Sequence, residues 1–242
     1  MDPMDRLIVK LQKAGYSVDE SVIKDVFFTV EAGELVGLIG ENGAGKSTTI
    51  KAILGQIPWM EGEIAIHSKD KAYGYVPERP VFYDELTVWE QIEYSGVMRE
   101  IPNWKERAKE LVKTFRVEQF IHQLPQSLSK GTQQKIMLIL ALLSSPELLI
   151  IDEPFIGLDP RATKLLLQMI DAERSKGTGI LMCTHVLDTA EKLCDKFILL
   201  SNGTMFTQGT LVDLQTKCRQ PGGSLLDCFD YLINEDLHHG LG

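Results

Sequence analysis

The first third of the chain alternates apolar and polar positions with period two. "RLIVKLQ" does so, and in "VIKDVFFTV" Val26, Phe28 and Val30 share one face, which is the pattern of a half-buried strand. "GELVGLIG" is a short apolar run ended by glycine, and "EGEIAIHS" and "AYGYV" are two further strand candidates. From Leu86 to about Leu143 the period lengthens to that of a helix, as in "NWKERAKELVKTF", where Leu111, Val112 and Phe115 fall on one face. "ELLIID" then returns as a bare apolar strand of the kind buried on both faces of a parallel sheet. "KLLLQMIDAERSKG" reads as a helix closed by Gly177, and "GILMCTH" and "DKFILLSNG" read as strands with the helix "VLDTAEKLC" between them. From Gln220 a "PGG" precedes a short amphipathic stretch, "SLLDCFDYLI". Strands alternating with helices predict an α/β fold with a mainly parallel sheet. The long helical middle reads as an insert in that core.

Composition narrows the partners. The 242 residues are 44% apolar and 24% charged, an ordinary globular balance. The net charge of −9 leaves no basic footprint for nucleic acid. Cys183, Cys194, Cys218 and Cys228 show neither a CxxC nor a Cys/His metal spacing, so a reduced, cytosolic chain is expected. The first residues, "MDPMDRLIVKLQKAG", show no basic segment followed by a signal-type apolar core, so no signal segment is expected there. No apolar run approaches the roughly 20 residues that cross a bilayer, so any membrane work calls for another subunit.

Three segments carry chemistry. "GLIGENGAGKSTT" follows an apolar strand, precedes a helix and fits the phosphate-binding pattern G-x-x-x-x-G-K-[ST]. Its glycines let backbone N–H groups turn onto phosphate without Cβ clashes. Lys46 is placed to reach the β- and γ-phosphates, and the Ser47 hydroxyl to ligate Mg²⁺. Gly40, Asn42, Gly43, Gly45, Lys46, Ser47 and Thr48 are the candidate contacts. "LLIIDEP" ends a strand in two carboxylates. Asp152 is the expected Mg²⁺ partner, and Glu153, one residue on, is the candidate base for an attacking water. His185 follows the strand "GILMC" and is the candidate sensor of the γ-phosphate. A fourth stretch, "SLSKGTQQK", stands before the apolar run Ile136 to Leu143 like a helix start, and so like a second anion site.

These four segments, in their order along the chain, resemble the ATP-binding subunits of ABC transporters over about Leu7 to Asp213. "LSKGTQQ" is similar to that family's signature motif, and "GLDP" with Asp159 to its D-loop. The combination of "PERPVFYDELT", "LSKGTQQK" and "IIDEPFIGLDP" most resembles Ecs-type and ABC-2-like bacterial exporter ATPases. The implied fold is a P-loop NTPase with a RecA-like parallel core, an N-terminal antiparallel β sub-domain and an inserted helical sub-domain. Residues 1–218 would form the nucleotide-binding domain, with the insert at about 86–147 and a short tail at 219–242. The resemblance implies ATP and Mg²⁺ as cofactors and Tyr16, thirty residues before Lys46, as the aromatic stacked on adenine. It further implies a head-to-tail dimer with a second copy or a similar ATPase subunit. In that dimer Ser129 and Gly131 face the partner chain's γ-phosphate, which gives the second anion site its use. A separate membrane-spanning subunit, a place on the inner face of the cell membrane and an export function complete the expectation. Two positions depart from the family's usual form. Lys130 stands for a glycine in the signature, and Glu78 stands where a metal-contacting Gln is usual. Glu78 remains a candidate Mg²⁺ ligand, and Val81, Phe82 and Tyr83 after it are candidates for a coupling surface. The competing reading is a soluble ABC-type ATPase of an assembly or regulatory complex, without transport.

Overall fold

The computed structural model describes residues 5–68 and 73–239. In chain order it runs β1 (Asp5–Gly15), β2 (Ser21–Glu31), β3 (Leu35–Ile39), α1 (Lys46–Ile53), β4 (Trp59–Ile66) and β5 (Tyr73–Val76). Next come α2 (Val88–Met98), α3 (Trp104–Thr114), α4 (Lys130–Leu142), β6 (Leu148–Asp152) and α5 (Pro160–Ser175). The chain closes with β7 (Gly179–Thr184), α6 (Leu187–Leu193), β8 (Lys196–Ser201), β9 (Thr204–Gly209), α7 (Leu211–Lys217) and α8 (Leu225–His239). It divides into two compact units, one of Met1–His67 with Gly179–Gly242 and the other of Ser68–Thr178.

In the first unit seven strands lie in the order β4-β1-β2-β9-β8-β3-β7. β1 pairs antiparallel with β2 and β4, whereas β3 pairs parallel with β7 and β8. The alternation read in the sequence is the alternation of burial: Leu7, Val9 and Leu11 of β1 and Val26 and Val30 of β2 are fully buried, while Phe27 between them is exposed. β3 and β7 are buried along their whole length, as parallel strands covered on both faces must be. β9 carries no such pattern. It exists because Asn202 (φ 48°) and Gly203 (φ 79°) both take left-handed backbone, the geometry of a tight hairpin turn, and so fold it antiparallel onto β8.

Residues 219–242, expected as a short tail, contain α8. Its Leu225, Cys228 and Phe229 are buried with Ala190, Phe197, Leu199 and Leu214 in one apolar cluster. Each large apolar side chain so buried contributes about 1.5–3 kcal/mol relative to exposure, which seats the helix firmly in this unit.

In the second unit β5 and β6 pair parallel, and Leu148, Leu149, Ile150 and Ile151 of β6 are fully buried. The helical middle resolves into α2, α3 and α4. A capping box, with the Thr87 side chain on the Glu90 N–H and the Glu90 carboxylate on the Thr87 N–H, starts α2. Gly96 lets α2 cross the start of α3 closely: a Cβ there would lie 2.5 Å from the Trp104 ring. α3 buries Ala108, Leu111 and Val112, with Phe115 just beyond it, which is the face read from the sequence.

Candidate functional site

Parallel pairing decides where the chemistry-bearing loops emerge. In the first unit Ile39, the last residue of β3, lies opposite Thr184, the last of β7. The glycine loop from Gly40 and His185 therefore leave the same end of neighbouring strands, the end where α/β sheets receive ligands. A cleft of about 300 Å³ joins them, lined by Gly40, Glu41, Asn42 and His185 and by Phe229 and Asp230 of α8. His185 itself is exposed.

The loop's glycines have separate reasons. Gly43 (φ 86°) and Gly45 (φ 102°) hold left-handed backbone, which favours glycine. A Cβ at Gly43 would point into open space, whereas one at Gly45 would lie 2.8 Å from Ile23 Cγ2 and 3.2 Å from Gly203 Cα. Gly40 is closed in by the Leu200 carbonyl, 2.6 Å from where its Cβ would stand. The Lys46 ammonium donates to the carbonyls of Gly40 at 2.6 Å and Glu41 at 3.1 Å, which centres the charge at the loop. Ser47, in the first turn of α1, is exposed, and Thr48 beside it is half-buried. Glycine backbone at Gly40, Gly43 and Gly45, a cation within the loop and an exposed hydroxyl at a helix start fit a nucleotide's phosphates and their magnesium ion.

Tyr16 also belongs to this unit. It is 55% exposed, at the turn after β1, where its N–H donates to the Glu20 carbonyl at 3.2 Å. Ala14, two residues before it, pairs with Ile23, and Ile23 is the side chain that packs on Gly45. The hairpin tip that displays Tyr16 is thus fixed to the glycine loop through Ile23.

In the second unit Val76 lies opposite Ile151, so Glu78 and the Asp152–Glu153 pair leave the same end of β5 and β6. Asp152 and Glu153 are 6% and 8% exposed. Glu153 is held at φ 47°, a left-handed conformation that costs a non-glycine residue about 1–2 kcal/mol and turns the chain sharply off the strand. Glu78 is exposed. The loop after it is fastened by a residue that the sequence reading passed over. Gln91, 4% exposed, donates its amide to the Tyr83 carbonyl at 2.6 Å and the Leu86 carbonyl at 3.1 Å, and accepts from the Tyr83 N–H at 3.2 Å. Its signal was a polar residue on the apolar face of α2, beside Val88 and Ile92.

Ser129 caps α4: its hydroxyl accepts from the Thr132 N–H at 3.3 Å and lies 2.9 Å from the Thr132 hydroxyl. Ser129 and Lys130 are exposed, and nothing lies within 4 Å of the Cβ position at Gly131, so this helix start is open. Asp159 caps α5 through the N–H groups of Arg161 and Ala162 at 2.8 and 2.9 Å. The Ala162 N–H, chiefly, holds its carboxyl below the usual aspartate range. Among the described residues no helix is long and apolar enough to cross a membrane, and no cluster of three or more His, Cys, Asp or Glu forms a metal cage.

The family model for ABC transporters matches residues 23–156. The chain is 50% identical over 232 residues to YthP, an ABC transporter ATP-binding protein of Bacillus subtilis, covering 95% of this chain and 98% of YthP. It is 41% identical over 249 residues to EcsA, an ABC-type transporter ATP-binding protein of the same organism, covering 98% of this chain and all of EcsA. A solved ATP-binding subunit of an ABC transporter superposes with a TM-score of 0.87 at 39% identity, over 94% of this chain and 99% of that one.

Proposed function

Because the chain belongs to the ABC transporter family as an ATP-binding subunit and ATPase, we propose that it is the motor of a bacterial exporter. Two ATP-bound copies, or one copy and a similar subunit, would close head to tail and drive a separate membrane-spanning subunit from the cytoplasmic face. The resemblance of "PERPVFYDELT", "LSKGTQQK" and "IIDEPFIGLDP" to Ecs-type and ABC-2-like exporter ATPases supports the exporter reading.

The observation that carries the proposal is the glycine loop. Gly43 and Gly45 at positive φ, with the Lys46 ammonium on the loop carbonyls, form a cradle for a polyphosphate. Backbone N–H groups from Gly43 to Thr48, with Asn42 and Gly40 at the mouth, hold the β- and γ-phosphates. Lys46 exchanges its carbonyl partners for phosphate oxygens. Ser47 in the first unit, and Asp152 and Glu78 in the second, carry oxygens of the kind that would hold magnesium, which when bound would withdraw charge from the phosphates. Glu153 takes a proton from the attacking water, and His185 hydrogen-bonds the γ-phosphate. Tyr16 stacks on the base. Ser129 and Gly131 present α4's open N-terminus to the partner's γ-phosphate.

Glu153→Gln tests the base assignment. The variant should bind ATP as the wild type does and lose about a hundredfold or more of turnover, because only proton transfer is removed. Turnover at the wild-type rate would place the base elsewhere.

A further inference from the structure

We propose that Cys218 and Cys228 form a redox modification site, a dithiol that a small hydroperoxide converts to a disulfide fastening α8 to the end of α7. Their Sγ atoms lie 3.2 Å apart, and a disulfide needs about 2.05 Å, so closure asks for roughly one ångström of movement. Cys218 is the C-cap of α7, and Cys228 lies in the first turn of α8. Both are in the apolar cluster with Ala190, Phe197, Leu214 and Phe229.

The connecting segment fixes this approach. The Gln215 amide donates to the Gly223 carbonyl at 2.7 Å, and the Glu191 carboxylate accepts from the Leu225 N–H at 2.6 Å. Ser224 and Asp227 close a capping box at the start of α8. The sulfurs are held face to face by a frame that does not depend on the bond between them.

The chemistry balances with a hydroperoxide as oxidant. One thiol gives up its proton, and its sulfur attacks a peroxide oxygen. The O–O bond breaks, and the departing oxygen takes the proton and leaves as water or an alcohol. The resulting sulfenic sulfur is attacked by the second thiol. Its S–O bond breaks, and hydroxide takes the second proton and leaves as water. Two electrons pass from the thiol pair to the peroxide. Burial, then the neighbouring Cys218 thiol, push the Cys228 thiol up to about 12, and the step balances whichever of the two sulfurs attacks first. Hydrogen peroxide is little larger than water, so brief local opening around α8 admits it.

The bond would matter because α8 walls the cleft at the glycine loop. Phe229 and Asp230, next to Cys228, share that cleft with Gly40, Asn42 and His185. A disulfide at Cys228 fixes the position of that wall.

The test takes the full chain through hydrogen peroxide and counts thiols in denaturant. The four free cysteines should fall to two and return to four with dithiothreitol. Peptide mapping should link the segments holding Cys218 and Cys228. Hydrogen exchange over α8 should slow about tenfold or more in the oxidised form. Neither Cys228→Ala nor Cys218→Ala should form a disulfide within the chain under the same treatment, and either variant serves as the control should the other not fold. Four thiols after peroxide, a linkage through Cys183 or Cys194, a crosslink between two chains, or a disulfide that leaves α8 exchange unchanged would each overturn the proposal.

Discussion

One backbone angle separates Glu153 from the strand that carries it: β6 ends at Asp152, and Glu153 turns off it at φ 47°. The residue types proposed for the site could be picked out of the sequence because phosphate chemistry calls for them. Glycine loop, lysine, hydroxyl and paired carboxylate have few substitutes, and they stand out without any knowledge of the fold. The reason for each glycine was not legible. Gly45 is required by Ile23 and Gly203, which lie far from it in sequence, and only the fold brings them together. The same contact bears on Tyr16. Its ring stands on a hairpin tip tied to Gly45 through Ile23, and at 55% exposure it is free to cover a base. Aromatic stacking on a base is worth about 1–3 kcal/mol, so Tyr16→Ala should weaken ATP binding about ten- to a hundredfold, with Tyr16→Trp near wild type. Because every base has a π-face, GTP should lose affinity in parallel. Calorimetric titration of both nucleotides checks this, and unchanged affinity in Tyr16→Ala would assign the stacking elsewhere.

Elements with a strong hydrophobic period were readable, and elements made by pairing or capping were not. β6 announces itself as four consecutive buried aliphatics. β9, "TMFTQG", shows no clear period and is imposed by the Asn202–Gly203 turn, whose "NG" was its one local signal. α4 shows a subtler limit. Its start was read as a site for a partner's phosphate. The structure also gives Ser129 a use within its own chain, since it caps the helix. The two roles separate by substitution. As an N-cap, Ser129→Ala should destabilise the isolated chain by about 0.5–2 kcal/mol, whereas Ser129→Gly should cost only a few tenths. As a partner-facing hydroxyl it is missed equally in both variants. Ser129→Gly should therefore keep near-wild-type thermal stability and lose ATP-driven dimerisation in the Glu153→Gln background. Sedimentation with MgATP decides it: an ATP-dependent dimer in Ser129→Gly would leave the cap as the sole role of this residue.

For the whole molecule, transport needs a surface on which a membrane subunit can pull. Val81, Phe82 and Tyr83 were candidates from sequence alone, and their exposure now sorts them. Val81 is 69% and Tyr83 55% exposed, while Phe82 is half-buried. Tyr83 stacks edge-on with Tyr94 of α2, with ring centroids 5.0 Å apart. Val97 and Met98 extend this exposed apolar group along the same helix. An exposed cluster of this kind marks an interaction site more often than chance surface. Gln91 keeps it in shape by fastening the loop at Tyr83 and Leu86, and the loop begins at Glu78, the candidate metal ligand. A change at the phosphates has only the few residues from Glu78 to Val81 to cross before it reaches this surface. Phe82 is the wrong probe, because a charge on a half-buried ring site disturbs the fold itself. Val81→Asp places the charge on an exposed side chain. It should leave the melting temperature of the isolated subunit within about 2 °C of wild type, surface changes generally costing under about 0.5 kcal/mol, keep its basal ATPase within about twofold, and abolish co-purification with the membrane subunit. Retained co-purification in Val81→Asp, and again in Tyr83→Asp, would move the docking surface off this loop.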